Sequence, residues 1–99
     1  MADLVRMNPE VIAAMRMSGT KPTRENRVQW FLEGMIEHHG GALQMAHEAR
    51  KNSSNPTILR LAREIIVAQH KEIIELRKML QSKGMSKPNY YKFDGLFAL

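Results

Sequence analysis

Phe31-Leu32-Glu33-Gly34-Met35-Ile36-Glu37-His38-His39-Gly40-Gly41-Ala42-Leu43-Gln44-Met45-Ala46-His47 decides the reading of this chain. Val28, Phe31, Leu32, Met35, His38, His39, Ala42, Met45, Ala46 and Ala49 recur at three- and four-residue steps, which predicts one face of a helix. Two histidines and two methionines on that face are an unusual choice for plain packing. Gly40-Gly41 falls inside the helix, where each glycine costs about 1 kcal/mol. The pair is expected to let a neighbouring backbone or a ligand approach beside the histidines.

Working outward, Thr23 is the expected cap of this first long helix, spanning residues 23–51, and Asn52-Ser53-Ser54 is a turn. Asn55-Pro56 caps and starts a second long helix over residues 56–83, stopped by Lys83-Gly84. Its stripe is Ile58, Ala62, Ile65, Gln69, Glu72, Ile73, Leu76 and Leu80. Asn8-Pro9-Glu10 starts a short helix over residues 8–17. The tail, residues 85–99, carries Tyr90, Tyr91, Phe93, Leu96 and Phe97. It is too apolar for a solvated tail and is expected to pack on the helices or on a partner. The whole, residues 1–99, reads as one all-α domain.

Helices of this length run about 40 Å, and the short turn forces them into an antiparallel hairpin. Counting away from the turn places Met35 opposite Glu72, His38 opposite Gln69, Ala42 opposite Ile65 and Met45 opposite Ala62. The expected result is one polar layer inside an apolar hairpin. Each helix has a second apolar flank, Leu32, Ile36, Leu43 and His47 on the first, Ile66, Val67, His70 and Ile74 on the second. Helices that are apolar over two flanks have two neighbours, so a homodimer is expected to complete a four-helix bundle.

Composition removes several chemistries. With no cysteine there are no disulfides, thiolate zinc sites or cysteine nucleophiles. The net charge is +5, from 15 Lys and Arg spread along the chain; they form no recognition helix, so nucleic acid is not an expected partner. No apolar run approaches the roughly 20 residues that span a membrane. The first residues lack a signal-peptide core, so the expected compartment is cytoplasmic, or periplasmic if a signal was removed. No glutamate precedes a histidine by three residues, as di-iron bundles require. The His-Glu-x-x-His zinc-protease pattern and glycine-rich phosphate loops are also missing.

A buried histidine must be hydrogen-bonded, metal-bound or paired. One reading is structural: His38 and His39 bond to Gln69, Glu72 and backbone, and fix register. The other is a metal site. Thioether with imidazole suits copper, copper(I) above all, and Met35 lies three and four residues before His38 and His39, within reach of one ion. The candidate ligands are Met35, His38, His39, Met45 and Glu72, with Gln69 as an orienting partner. Met45 lies two turns beyond His38. His47 and His70 sit on the flanks, as surface or interface residues. Glu37 reads as solvated.

Phe31-Leu32-x-x-Met35-Ile36-x-His38-His39-x-x-Ala42-x-x-Met45-Ala46, followed by Leu61-Ala62-x-x-Ile65-Ile66-x-x-Gln69-x-x-Glu72-Ile73, resembles the bacterial family catalogued as domain of unknown function 305. The resemblance covers about residues 28–80. It implies a ferritin-like four-helix bundle. The family includes a copper-binding member, which makes Met35, His38, His39 and Met45 the residues that the resemblance points to. This chain departs from the family's pattern at Val28, Gly34, Glu37 and Leu76. The expected function is therefore binding of a transition metal, copper first, for storage, buffering or resistance without turnover. The alternative is a dimerising helical interaction module whose polar layer is structural.

Overall fold

A computed structural model describes residues 23–99; the helix expected at residues 8–17 lies outside them. Two long helices, α1 (Arg27–Asn52) and α2 (Pro56–Ser82), pack against each other along their length. Single 3-10 turns follow at Pro88–Tyr91 and Asp94–Leu96. The described residues contain no strand.

The ends of the helices follow from local chemistry. Before α1, the Thr23 N–H donates to Asn26 Oδ1 (2.6 Å) and the Asn26 N–H donates to Thr23 Oγ1 (3.2 Å). This reciprocal capping pair makes Thr23–Asn26 a turn, so the helix begins at Arg27, four residues later than the spacing predicts. Asn55 caps α2 by accepting from the Thr57 and Ile58 N–H groups at 2.9 and 3.2 Å, with Pro56 preset for the first turn. At the far end Gly84 takes φ 70°, which suits a residue without Cβ. The Met85 N–H then reaches back to the Leu80 carbonyl at 2.8 Å and the Gly84 N–H to that of Gln81 at 3.0 Å, closing a Schellman motif. Met85 packs against the core at that end.

The face between the helices differs from the expected one. Leu32, Ile36, Leu43 and Ala46 of α1 meet Ala62, Ile66, Ile73 and Leu80 of α2, all buried. The flank taken as secondary, Leu32, Ile36 and Leu43, is thus the hairpin core, while Val28, Phe31 and Met45 from the quoted stripe are exposed. Burial of branched aliphatic side chains explains the rotation. Leu32, Ile36, Leu43, Ile66, Ile73 and Leu80 are completely enclosed, each stabilising by about 1.5–3 kcal/mol. A seam of methionine, histidine and alanine offers less.

The tail then covers one broad side of the hairpin. Tyr90 and Phe93 join the core cluster, with Leu96 and Phe97 against its edge. The Phe93 ring lies so close to Gly40 that a Cβ there would overlap it. The close approach expected at the glycine pair is therefore made by an aromatic ring of the tail. His47 Nε2 donates to the Leu96 carbonyl (2.7 Å) and the His70 ring stacks on Phe97 with centroids 3.8 Å apart. Both flank histidines hold the tail.

Candidate metal centre

Heptad-like spacing on each helix leaves a second seam on the side away from the tail. On α1 it runs Val28, Phe31, Met35, His38, Ala42, Met45, and on α2 Ile58, Leu61, Ile65, Ala68, Glu72, Met79. Steps of three, four and, from Glu72 to Met79, seven keep each set on one side of its helix. Because the helices are antiparallel, the two sets share one face of the hairpin. Phe31 is 54% and Met45 74% exposed. His38 and Met35 are half-buried at the inner border of this face, and His39 is buried behind it.

His39 is the fixed point. Its Nδ1 lies 2.7 Å from the Met35 carbonyl oxygen. A carbonyl only accepts, so Nδ1 carries a proton. Its Nε2 lies 2.6 Å from Glu72 Oε1 on the other helix. One proton lies between Nε2 and Glu72 Oε1 and joins the two side chains. Glu72 is 51% exposed at its side chain while His39 is 10% exposed. The histidine is held and the glutamate can swing.

These contacts correct the expected pairing. Glu72 meets His39, one helical turn along from Met35, and it does so from the rim of the hairpin, where an inward-facing position was expected. The rotation toward Leu32 and Ile36 carries Met35 off the interhelical axis and brings His39 onto it. Gln69 is half-buried near the same level. His38 follows His39 onto the border of the open face. Met45 sits seven residues beyond His38, about 10 Å along the axis, on the same face but outside the cluster. Among the described residues no three His, Asp or Glu side chains converge as a ready-made metal group.

On the tail side, charges appear that the spacing does not reveal. Glu37 is buried and paired with Lys92, contrary to the solvated position expected for it. Glu33 is buried too, accepting from the Tyr90 hydroxyl and lying 3.3 Å from Lys87 Nζ. Burial first, and then the hydrogen bond and charge of Glu33, hold the Tyr90 phenol well above its ordinary range. Arg77 pairs with Asp94 at 2.7 Å and lies over the Tyr91 ring, 4.3 Å from its centre. The sequence signal for this latch was available: two glutamates four apart on α1, and two lysines five apart in the tail.

The residues of the His39 cluster fit a metal ion in kind. A histidine whose Nδ1–H is fixed on a backbone carbonyl presents Nε2 in the tautomer that ligates. A carboxylate stands in front of it, and a thioether and a second imidazole lie within one turn. No helix of the described residues is long and apolar enough to cross a membrane. No solved structure matches the chain. An uncharacterised protein of Acanthamoeba polyphaga mimivirus is 36% identical over 55 residues, 56% of this chain, and that match spans 36% of the viral protein's length. The family model described as domain of unknown function (DUF305) matches residues 7–92, and with the whole hairpin inside that match, the chain belongs to this family.

Proposed function

We propose that the protein binds a transition metal, copper first, at the layer formed by His39, Glu72, His38 and Met35, and that two hairpins pair through their open faces into a ferritin-like four-helix bundle. The observation that carries the metal reading is the His39 geometry. Nδ1 is fixed on the Met35 carbonyl at 2.7 Å and Nε2 is aimed at the Glu72 carboxylate. An ion would take the place of the Nε2 proton, with Glu72 as carboxylate ligand or as the acceptor that orients a ligand, and with His38 and Met35 as further donors. Imidazole with thioether favours copper over harder ions. Met45 belongs to the same face and would bind only a separate ion. The role is storage, buffering or resistance. The dimer rests on the second seam, since exposed apolar residues at three- and four-residue steps on both helices are what a bundle partner would cover.

One observation favours a second reading. Both ring nitrogens of His39 already have partners within one chain, so the layer can also serve as a register lock in a helical interaction module. Copper titration separates the two. Wild-type protein should saturate at no more than about one ion per chain with micromolar affinity or tighter, that is, at least about 8 kcal/mol. The His38→Ala, His39→Ala double variant should take up none. Equal uptake by both proteins would overturn the metal site. Loss of stability in the double variant, with no copper uptake by wild type, would establish the register lock.

A further inference from the structure

Burial along α1 reaches further around the helix than α2 and the tail account for. Leu32-Glu33-Gly34 and His39-Gly40-Gly41 are both buried throughout. Successive helical residues project about 100° apart, so each run spans more than half the circumference. α2 takes the side of Leu32, Ile36 and Leu43. The tail fastens to Glu33, Glu37 and Gly40. Gly34 and Gly41 share a third side, roughly 170° around from the α2 side, and both are buried there.

Trp30 marks the same side, one turn before Gly34. Its indole Nε1 is buried with no acceptor among the described residues. A buried N–H left without an acceptor is costly. We propose that residues 8–17 of the same chain seat on this third side of α1, over Gly34 and Gly41. Such seating needs no metal ion.

Reach, length and chemistry point to that segment. From Met17 to Thr23 the chain can extend about 20 Å. Trp30 lies about 10 Å along the axis from Thr23, and a packed helix stands about 8–10 Å away. The chain can therefore turn back at residues 18–22 and run antiparallel to α1. Residues 8–17, read from the sequence as a helix, would be about 15 Å long, enough to cover the roughly 10 Å between the two glycines. Val11, Ile12 and Met15 form its apolar side, and glycines opposite let such side chains come close. A helix ending at Ser18-Gly19 has last-turn carbonyls without partners of their own, which are the acceptors that the Trp30 Nε1 lacks. The family match begins at residue 7, so the segment belongs to the same matched unit as the hairpin.

A nitroxide label on the full chain tests this. The chain has no cysteine, so Ala13→Cys carries one label, on the side of the segment away from Val11, Ile12 and Met15. The amide resonances of Gly34 and Gly41 should lose more than about half their intensity to the label's relaxation effect. Those of Glu64 and Lys71, exposed on the far side of α2, should keep theirs. Gly34→Leu fills the seat and should restore the Gly41 resonance. Ile12→Asp, which leaves the hairpin unaltered, should restore both. Unchanged Gly34 and Gly41 intensities in the first labelled chain would overturn the proposal, as would broadening that persists in both variants. Broadening that passes only between chains, in a mixture of labelled and isotope-enriched protein, would seat another copy's segment there and overturn it too.

Discussion

At the scale of single residues, the chain places carboxyl groups on both sides of α1 and treats them differently. Glu72 stands half in solvent and can leave His39 for another partner. Glu33 is enclosed, with the Tyr90 hydroxyl and Lys87 as its compensation. Tyr90 must stay protonated for that arrangement to hold, and its phenol is held above the ordinary value of about 10. The sign follows from linkage. Below pH 10 both the folded and the unfolded chain keep the proton, and the stabilisation is complete. Above it the unfolded chain binds fewer protons than the folded one, so stability falls as pH rises through the folded value. Urea unfolding between pH 8 and 11 should show this alkaline loss. In Tyr90→Phe the loss should flatten, and stability at pH 8 should drop by about 1–3 kcal/mol because buried Glu33 keeps only Lys87. An alkaline limb unchanged by Tyr90→Phe would remove Tyr90 as its source. The quoted stretch announced the histidines but not this latch, because a glutamate on a helix flank reads as solvated until something covers it.

At the scale of elements, the hairpin was legible and its rotation was not. Asn55-Pro56 and Lys83-Gly84 mark the ends of α2 through side-chain and backbone hydrogen bonds that depend only on neighbours. The inner face depends on which of two adjacent apolar seams buries more. Met35, His38, Ala42 and Met45 compete with Leu32, Ile36 and Leu43 from positions about a quarter turn away, and periodicity alone does not weigh them. The tail adds to the outcome by taking the opposite side, where Phe93 packs on Gly40. Gly40→Ala tests that contact with an informative sign. Helix propensity alone would stabilise by about 1 kcal/mol. Overlap with the Phe93 ring should instead make the variant less stable by about 1–3 kcal/mol, measured by chemical denaturation. In a Phe93→Ala background the same change should turn stabilising. A gain of stability in the wild-type background would mean that the ring does not rest on the glycine.

At the scale of the whole molecule, the described residues close one side of the hairpin and leave the other open. The closed side is fastened by buried carboxylates, a cation over an aromatic ring and the Gly40 contact. The open side is apolar, free of lysine and arginine along its seam, and carries the His39 layer at its middle. The sequence placed histidine, methionine and Glu72 in one region, because their spacing along each helix is a local property. It could not decide between a histidine that is merely satisfied and one that is poised to ligate, because that turns on the Met35 carbonyl and on how exposed Glu72 is. The nitrogen resonances of the His39 ring report this most directly. On adding copper(I), which is diamagnetic, the account predicts that Nδ1 keeps its proton and its bond to the Met35 carbonyl, while Nε2 shifts to the range of a metal-bound nitrogen. A His39 Nε2 resonance unmoved at saturating copper(I) would contradict it.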